Sequence, residues 1–459
     1  MKTKSIILDT DSYKVSMWKQ YPPGTQSVYS YIESRGGQYD KTILFGVQAY
    51  IREVLSKPIT QAEIDFADKF WTAHGEPFNR EGWEYILDKH NGYLPVEIRS
   101  IEDGILVPVQ NVLATIVNTD PMVPWITTWI ETSFLRSVWY ATTVATQSWS
   151  IKQVIKDALK MSGDVTGLPF KLHDFGSRGV SSYESAYIGG MSHLVNFMGT
   201  DTAISILAAN EYYDADIYNT AYSIPAAEHS TVTSWGRDKE ALAYENMVKQ
   251  FSKPGAIYAV VSDSYDIYNA VDIWGTELKE LVVKNGGTLV IRPDSGDPAV
   301  VVPKLLKKLD QYFGSTVNDK GFKVLNNVRL IWGDGINELS IRTILMVAVT
   351  MNKYSADNLA FGMGGALLQI VNRDTQKFAM KCSAAMIDGV WVDVFKDPVT
   401  DSGKKSKKGR FMVIRENSEI KTIPYDEAKK DLDIMKVRYA DGSRFNEISF
   451  SQVRANSEM

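Results

Sequence analysis

Through the middle third of the chain, short apolar runs alternate with amphipathic stretches, and each run stops at a polar or glycine-rich segment. Phe170-Lys171-Leu172 leads into His173-Asp174-Phe175-Gly176, Tyr258 to Val261 into Ser262-Asp263-Ser264, and Leu289-Val290-Ile291 into Arg292-Pro293-Asp294-Ser295-Gly296. Arg329-Leu330-Ile331-Trp332 leads into Gly333-Asp334-Gly335, and Leu359-Ala360-Phe361 into Gly362-Met363-Gly364-Gly365. Between the runs the spacing predicts helices over 182–197, 268–283, 303–313 and 339–351. In 303–313, Leu305, Leu306, Leu309 and Phe313 fall on one helical face with lysines opposite. Repeated strand–loop–helix units predict a parallel sheet with helical crossovers, either open and doubly wound or closed as a barrel. Polar residues at so many strand ends favour the (β/α) barrel, which gathers its strand-to-helix loops on one face.

The two ends of the chain read differently. Short strands such as Val28–Ile32 and Val96–Ile98 mix with helices rich in Trp and Tyr, and the tail returns to strand-like runs over 389–395 and 410–414. A basic loop, 404–410, separates the last two runs. Its charge reads equally as a solvated loop or as a gate that collects phosphates. The expected organisation is an accessory α+β region over 1–165, an α/β barrel carrying the substrate site over 166–370, and a segment over 371–459 that packs with the N-terminal region.

Composition narrows the function classes. Of 459 residues, 44% are hydrophobic and 23% charged, as in an ordinary globular protein. Lys+Arg 50 against Asp+Glu 55 gives a net charge of −5, so an anionic ligand must be met by local cations, and nucleic acid is not an expected partner. One cysteine, Cys382, cannot close an intramolecular disulfide, and with five scattered His it offers no metal-ligand spacing; a cytoplasmic setting is expected. Ile6-Ile7-Leu8 is too short for a signal-peptide core, and the apolar run over 344–351 falls short of the roughly 18 residues a membrane span needs. No membrane partner is expected.

Three strand ends carry glycines whose bare backbone can approach a ligand: Gly296, Gly333 with Gly335, and Gly364 with Gly365. Any one of them reads first as a tight turn. Together, and with Asp263, Asp294 and Asp334 nearby, they point to a phosphorylated, hydroxylated ligand, with the carboxylates accepting from ribose hydroxyls or holding Mg²⁺ through water and phosphate. Phe175, in a polar loop between Asp174 and Arg178, fits stacking on a planar ligand, and Tyr13 is a second aromatic set among polar residues. His229, with small neighbours and an acid beside it, is a candidate site histidine. His173 is read as orienting the Asp174 loop, and His74, His90 and His193 as structural or surface residues. Asp201 reads on spacing as a helix cap.

These segments together resemble the nicotinamide phosphoribosyltransferase family, almost from end to end. The resemblance is carried by Thr10-Asp11-Ser12-Tyr13-Lys14, Lys19-Gln20-Tyr21-Pro22-Pro23 and Asn118-Thr119-Asp120-Pro121. It continues through 171–182, 194–202, 223–231, 260–270, 291–296 and 394–399. It implies a type II phosphoribosyltransferase fold, an irregular α/β barrel with an accessory α+β domain formed by both chain ends. It also implies a homodimer with shared active sites. The implied reaction joins nicotinamide to 5-phosphoribosyl 1-pyrophosphate, giving nicotinamide mononucleotide and pyrophosphate in NAD salvage.

By the same resemblance, Phe175 and Tyr13 of a second chain sandwich the pyridine ring, Arg292 lies near ring and ribose, and Asp201 accepts from the carboxamide nitrogen, a role preferred to the cap and compatible with it. Asp294, Gly333 and Asp334 match the ribose and Mg²⁺ surroundings, with the metal held mainly through pyrophosphate and water rather than by a protein cage. Gly364 and Gly365 match the 5′-phosphate loop, and Arg35, Arg373, Lys381 and Lys396 match cations that reach the phosphates. Arg178 and His229 fall at the pyrophosphate end. His229 matches a histidine phosphorylated by ATP as co-substrate, with Asp263 orienting it. The chain departs from animal members at Ala379, where they carry a phosphate-contacting Ser, at Met363, Ala366 and Ser177, and in a shorter loop after Arg35. The rival readings are a nicotinate phosphoribosyltransferase, against which Asp201 argues, and a catalytically silent binding protein on the same fold.

Overall fold

A computed structural model describes residues 5–400 and 406–459. The chain divides into two compact units, one comprising 1–146, 209–215 and 372–459, the other 147–208 and 216–371. The first division falls at 146/147 rather than at the expected 165/166. It lies within a helix, Glu131–Ser162 (α1), that the sequence patterning does not single out. Another helix, Ile204–Tyr213 (α2), likewise gives its second half to the first unit.

Strands of both chain ends build the first unit. Thr25–Ser34 (β1), Val96–Ser100 (β2) and Val112–Asn118 (β3) come from the N-terminal end. The middle of the chain supplies the strands of the second unit: Leu172–Asp174 (β4), Gly199–Thr200 (β5), Ile257–Val261 (β6), Thr288–Arg292 (β7), Val328–Trp332 (β8) and Leu359–Met363 (β9). Phe378–Ile387 (β10), Val390–Asp393 (β11), Lys436–Ala440 (β12) and Ser443–Arg444 (β13) complete the first unit's sheet. That sheet runs β11-β10-β1-β3-β2-β12-β13 and is antiparallel throughout. Its core is aromatic: Trp83 meets Trp125 and Trp129 edge to face, at ring-centroid distances of 5.1 Å for both.

In the second unit the order β5-β4-β9-β8-β7-β6 is wholly parallel. Both edge strands also bond to one further segment, 222–227. Tyr222 exchanges bonds with Met198 and Thr200 beside β5, and Pro225 and Ala227 pair with Ala259 of β6. The sheet therefore closes on itself as an irregular barrel. Inward positions are small or β-branched, with Ala259, Val290 and Ile331 packed against Phe175, Ile224 and Ala360.

Many polar residues in the strand-to-helix loops hold the helices in place. Ser182 caps Tyr183–Leu194, Asp266 caps Ile267–Thr276, Asp297 caps Pro298–Phe313 and Asn337 caps Glu338–Leu345, each accepting a first-turn backbone N–H. The third of these helices also starts on a proline, which suits its first position, and buries Leu305, Leu306, Leu309 and Phe313 as their spacing requires. At the N-terminal ends of the strands, Lys171 Nζ donates to the carbonyls of Asp357 (2.9 Å) and Leu359 (3.0 Å), tying the starts of β4 and β9 together. Burial pulls this ammonium down to about 8.

Candidate active site

The C-terminal ends of the barrel strands bring together residues far apart in sequence. β4 ends at Asp174, whose side chain is fully buried. Its Oδ1 accepts from the Gly176 N–H (2.7 Å), and its backbone carbonyl accepts from the Asp201 N–H (2.9 Å). One residue thus fixes the turn after Phe175 and also holds the start of the Asp201 loop beside it. Burial raises the Asp174 carboxyl to about 6; the Gly176 bond opposes this, and the negative charge of Asp201 adds to it. Asp201 itself is exposed, and its Oδ1 accepts from Ser223 Oγ at 2.6 Å. Among the described residues it bonds to that hydroxyl and to no helix N–H, so the cap reading is corrected. His173 points its Nε2 at the Phe170 carbonyl (3.0 Å), and burial holds the imidazole below its ordinary range.

Phe175 lies over two neighbouring strand ends. Its N–H donates to the Met363 carbonyl (3.0 Å), and its ring rests against Gly362 and Gly333. A methyl group at Gly333 would stand 3.4 Å from Phe175 Cε2 and 3.2 Å from Asp294 Oδ1, so this glycine sits between aromatic ring and carboxylate. Asp294 is 3.7 Å from the Arg292 guanidinium. The Asp334 side chain is exposed, while its carbonyl accepts from Trp332 Nε1 (2.7 Å). A Cβ on Gly179 would come within 3.3 Å of the Gly365 nitrogen, which sets the Arg178 loop against the Gly364-Gly365 turn.

A second cluster occupies the ends of β6 and β7. His229 Nε2 bonds Asp263 Oδ1 at 3.0 Å, and Ser295 Oγ donates to Asp263 Oδ2 at 2.5 Å. The carboxylate is nearly buried, with 5% of its side chain exposed, against 46% for the histidine. With Nε2 turned to the carboxylate, Nδ1 is the nitrogen left for chemistry.

The remaining expected residues, Tyr13, Arg35, Arg373, Lys381 and Lys396, belong to the first unit. Tyr13 is 59% exposed, with the Lys14 ammonium 5.2 Å from its ring centroid and Lys14 paired to Glu131 at 2.6 Å. Arg35 pairs with Glu33 (2.9 Å), which also takes Lys407. Burial pulls the Lys381 ammonium down; Glu131 opposes that, while Arg35, Lys396 and Lys14 reinforce it. Arg373 pairs with its neighbour Asp374, at 3.4 Å. Lys404 and Lys405 of the basic loop lie outside the described residues. Among the described residues no three His, Cys, Asp or Glu gather as a metal-binding group, and no helix is long and apolar enough to cross a membrane.

Sequence reasoning passed over Ser223, Ser295 and Gly362. Each is a common residue in a polar loop or at a strand end. The one available signal was position, at the end of a strand or in a segment with no apolar run of its own.

Comparison with known proteins follows the same lines. Residues 170–442 match the model of the Nicotinate phosphoribosyltransferase (NAPRTase) family, and residues 5–98 match Nicotinamide phosphoribosyltransferase, N-terminal domain. A Xanthomonas campestris pv. campestris (strain 8004) protein called Nicotinamide phosphoribosyltransferase is 53% identical over 463 residues, covering 99% of this chain and 98% of its own. One of the same name from Acinetobacter baylyi is 30% identical, covering 88% of this chain and 87% of its own. Among solved structures, nicotinate-nucleotide pyrophosphorylase from Pyrococcus furiosus aligns with a TM-score of 0.62 at 14% identity, over 100% of this chain and 96% of that one. Human Nicotinic Acid Phosphoribosyltransferase aligns at 0.56 and 14%, over 98% and 93%. At such identities the structural likeness speaks for the fold alone.

Proposed function

The chain belongs to the nicotinamide phosphoribosyltransferase family, and from that premise we propose that it makes nicotinamide mononucleotide from nicotinamide and 5-phosphoribosyl 1-pyrophosphate. As a phosphoribosyltransferase it is an enzyme, and its place is in NAD salvage. The observation that carries the choice of substrate is the bond from the Asp201 N–H to the carbonyl of Asp174, the residue before Phe175. It holds the Asp201 backbone against the residue that precedes Phe175, which supports a carboxylate within reach of the carboxamide of a stacked ring. A carboxylate there accepts from the carboxamide NH₂ of nicotinamide and repels the carboxylate of nicotinate, so attraction and rejection act together.

In the transfer, the bond from ribose C1 to pyrophosphate breaks, the pyrophosphate leaving with the electron pair, and the pyridine nitrogen donates its lone pair to C1. Phe175 holds the ring by stacking, with Tyr13 of a second chain on the other face; the exposure of Tyr13 supports that shared site. Asp294 and Asp334 face the ribose, and the positive charge that develops on the sugar is stabilised by these carboxylates. Arg178, Arg292, Arg35, Arg373, Lys381 and Lys396 are the cations for the phosphate groups, with the Gly364-Gly365 turn presenting backbone N–H groups.

Mg²⁺ fits the Asp294 surroundings, because it takes few carboxylates and keeps waters and phosphate oxygens as its other ligands. When bound it neutralises charge on the departing pyrophosphate.

ATP is the proposed co-substrate at His229. The Nδ1 lone pair attacks the γ-phosphorus, ADP leaves, and the imidazolium is stabilised by Asp263; water later hydrolyses the phosphohistidine to phosphate. Asp263 supports this by holding Nε2. The single free cysteine, Cys382, supports a cytoplasmic setting.

The test is an assay of the purified protein with nicotinamide, phosphoribosyl pyrophosphate, Mg²⁺ and ATP. Nicotinamide mononucleotide should accumulate. A protein that makes none is a silent member of the fold.

A further inference from the structure

We infer that Gly362 sets the seat of the Phe175 ring, and with it the height of the slot that receives the pyridine; this rests on the stacking role proposed above. A Cβ built on Gly362 would stand 1.9 Å from Phe175 Cε2, 2.2 Å from Cδ2 and 2.7 Å from Cζ. No side-chain atom survives at such distances, so any residue but glycine displaces the ring.

Backbone conformation is not the reason for glycine here. Gly362 lies in a regular strand, paired with His173 of β4, and its φ is not in the left-handed region. Side chains alternate along a strand, so Gly362 shares the inward face of β9 with Ala360, which packs among the barrel's interior residues. Gly333, two residues after the inward Ile331 on β8, repeats the pattern more loosely, at 3.4 Å from Cε2. The two strand ends thus taper from branched or small side chains to none where the phenylalanine ring lies across them.

The ring has nowhere to retreat. The Phe175 backbone N–H donates to the Met363 carbonyl. Ala259, Val290, Ile331, Ile224 and Ala360 fill the interior with it. The turn behind it is pinned by Asp174 and Leu368, which lie within 3.0 Å of a Cβ on Gly176. A ring pushed off Gly362 therefore moves towards the barrel mouth, into the volume the pyridine needs. Gly362 is a positioning residue. It acts on the substrate through Phe175.

The experiment is a cycle of Gly362→Ala, Phe175→Leu and the double variant. Gly362→Ala should raise the KM for nicotinamide by about tenfold or more while the KM for phosphoribosyl pyrophosphate moves by less than about threefold. Unfolding temperatures without substrate give a second readout. Phe175→Leu should cost stability in the parent and restore it in the Gly362→Ala background, because the smaller side chain relieves the clash. An unchanged nicotinamide KM in Gly362→Ala, or additive stability changes around the cycle, overturns the inference. If Gly362→Ala does not fold, Gly333→Ala replaces it with a smaller shift in the same KM, and an unshifted KM there overturns it equally. A parent that does not turn over nicotinamide refutes the proposed function; the substrate-free cycle still decides whether Gly362 seats the ring.

Discussion

The two halves of the barrel mouth are built on different principles. At the ends of β4 and β9, the ring end, position comes from packing: a buried carboxylate pins one turn, and an aromatic ring lies directly on a glycine. At the ends of β6 and β7, the histidine end, position comes from hydrogen bonds among Ser295, Asp263 and a half-exposed His229. Close packing transmits small displacements, whereas a hydrogen-bonded relay fails when one partner goes and leaves the fold largely untouched. Substitutions at the ring end should therefore change substrate affinity and stability together. Those at the histidine end should change ATP coupling with little change in stability.

The largest effect expected is at the ring end. Phe175→Ala removes both the stacking surface and a core side chain, and should lower kcat/KM for nicotinamide by about 100-fold or more while destabilising the fold by about 3 kcal/mol. Steady-state kinetics and denaturant unfolding check the pair, and a kinetic loss without a stability loss would break the contrast. At the other end, His229→Ala should abolish stimulation by ATP, retain basal transfer and leave the unfolding temperature within a few degrees. An ATP-stimulated variant would remove His229 from the coupling.

Asp174→Asn sharpens the comparison through pH. The carboxyl titrates higher in the folded protein, about 6, than an unfolded aspartate, ordinarily near 3.8. The stability this group contributes is thus fully present below pH 4 and is lost as pH rises through 6. Asparagine keeps the acceptor for Gly176 and carries no charge. The variant should therefore be more stable than the parent above pH 6, by at most about 3 kcal/mol, with the gain vanishing below pH 4. Thermal unfolding across pH 4–8 reads it; a constant difference across that range would mean that burial of the charge is not the cause. The smallest effect belongs to Ser295→Ala, which frees one oxygen of Asp263. ATP stimulation should fall by about tenfold, the low end of what one hydrogen bond to a charged group contributes, with the basal rate unchanged. Threonine should restore it.

How much of this was legible in the sequence follows the same division. The apolar runs before 173, 262, 292, 333 and 362 become β4 and β6–β9, because buried parallel strands need continuous hydrophobicity. β5, two residues long, and the closing segment 222–227 carry no such run; their pairing depends on neighbours brought from elsewhere in the chain. Helix α1 was hidden for the opposite reason. Over 141–148 every residue is buried, polar ones included, so no apolar stripe stands against a polar face. At the site, Phe175 and the carboxylates stand out chemically in their loops. The roles of Asp201, Tyr13 and the phosphate cations came with the family resemblance and not from spacing. Ser223 and Ser295 show what they hold only once the strand ends are side by side.

The central claim is that Asp201, whose N–H is held by the residue before Phe175, makes the site one for the amide. Initial rates on nicotinamide and on nicotinate, measured side by side for the parent and for Asp201→Asn, test it most directly. The parent should favour nicotinamide by at least about 100-fold, and the variant should lose most of that preference. A parent that uses nicotinate equally well, or a variant with unchanged selectivity, would contradict it.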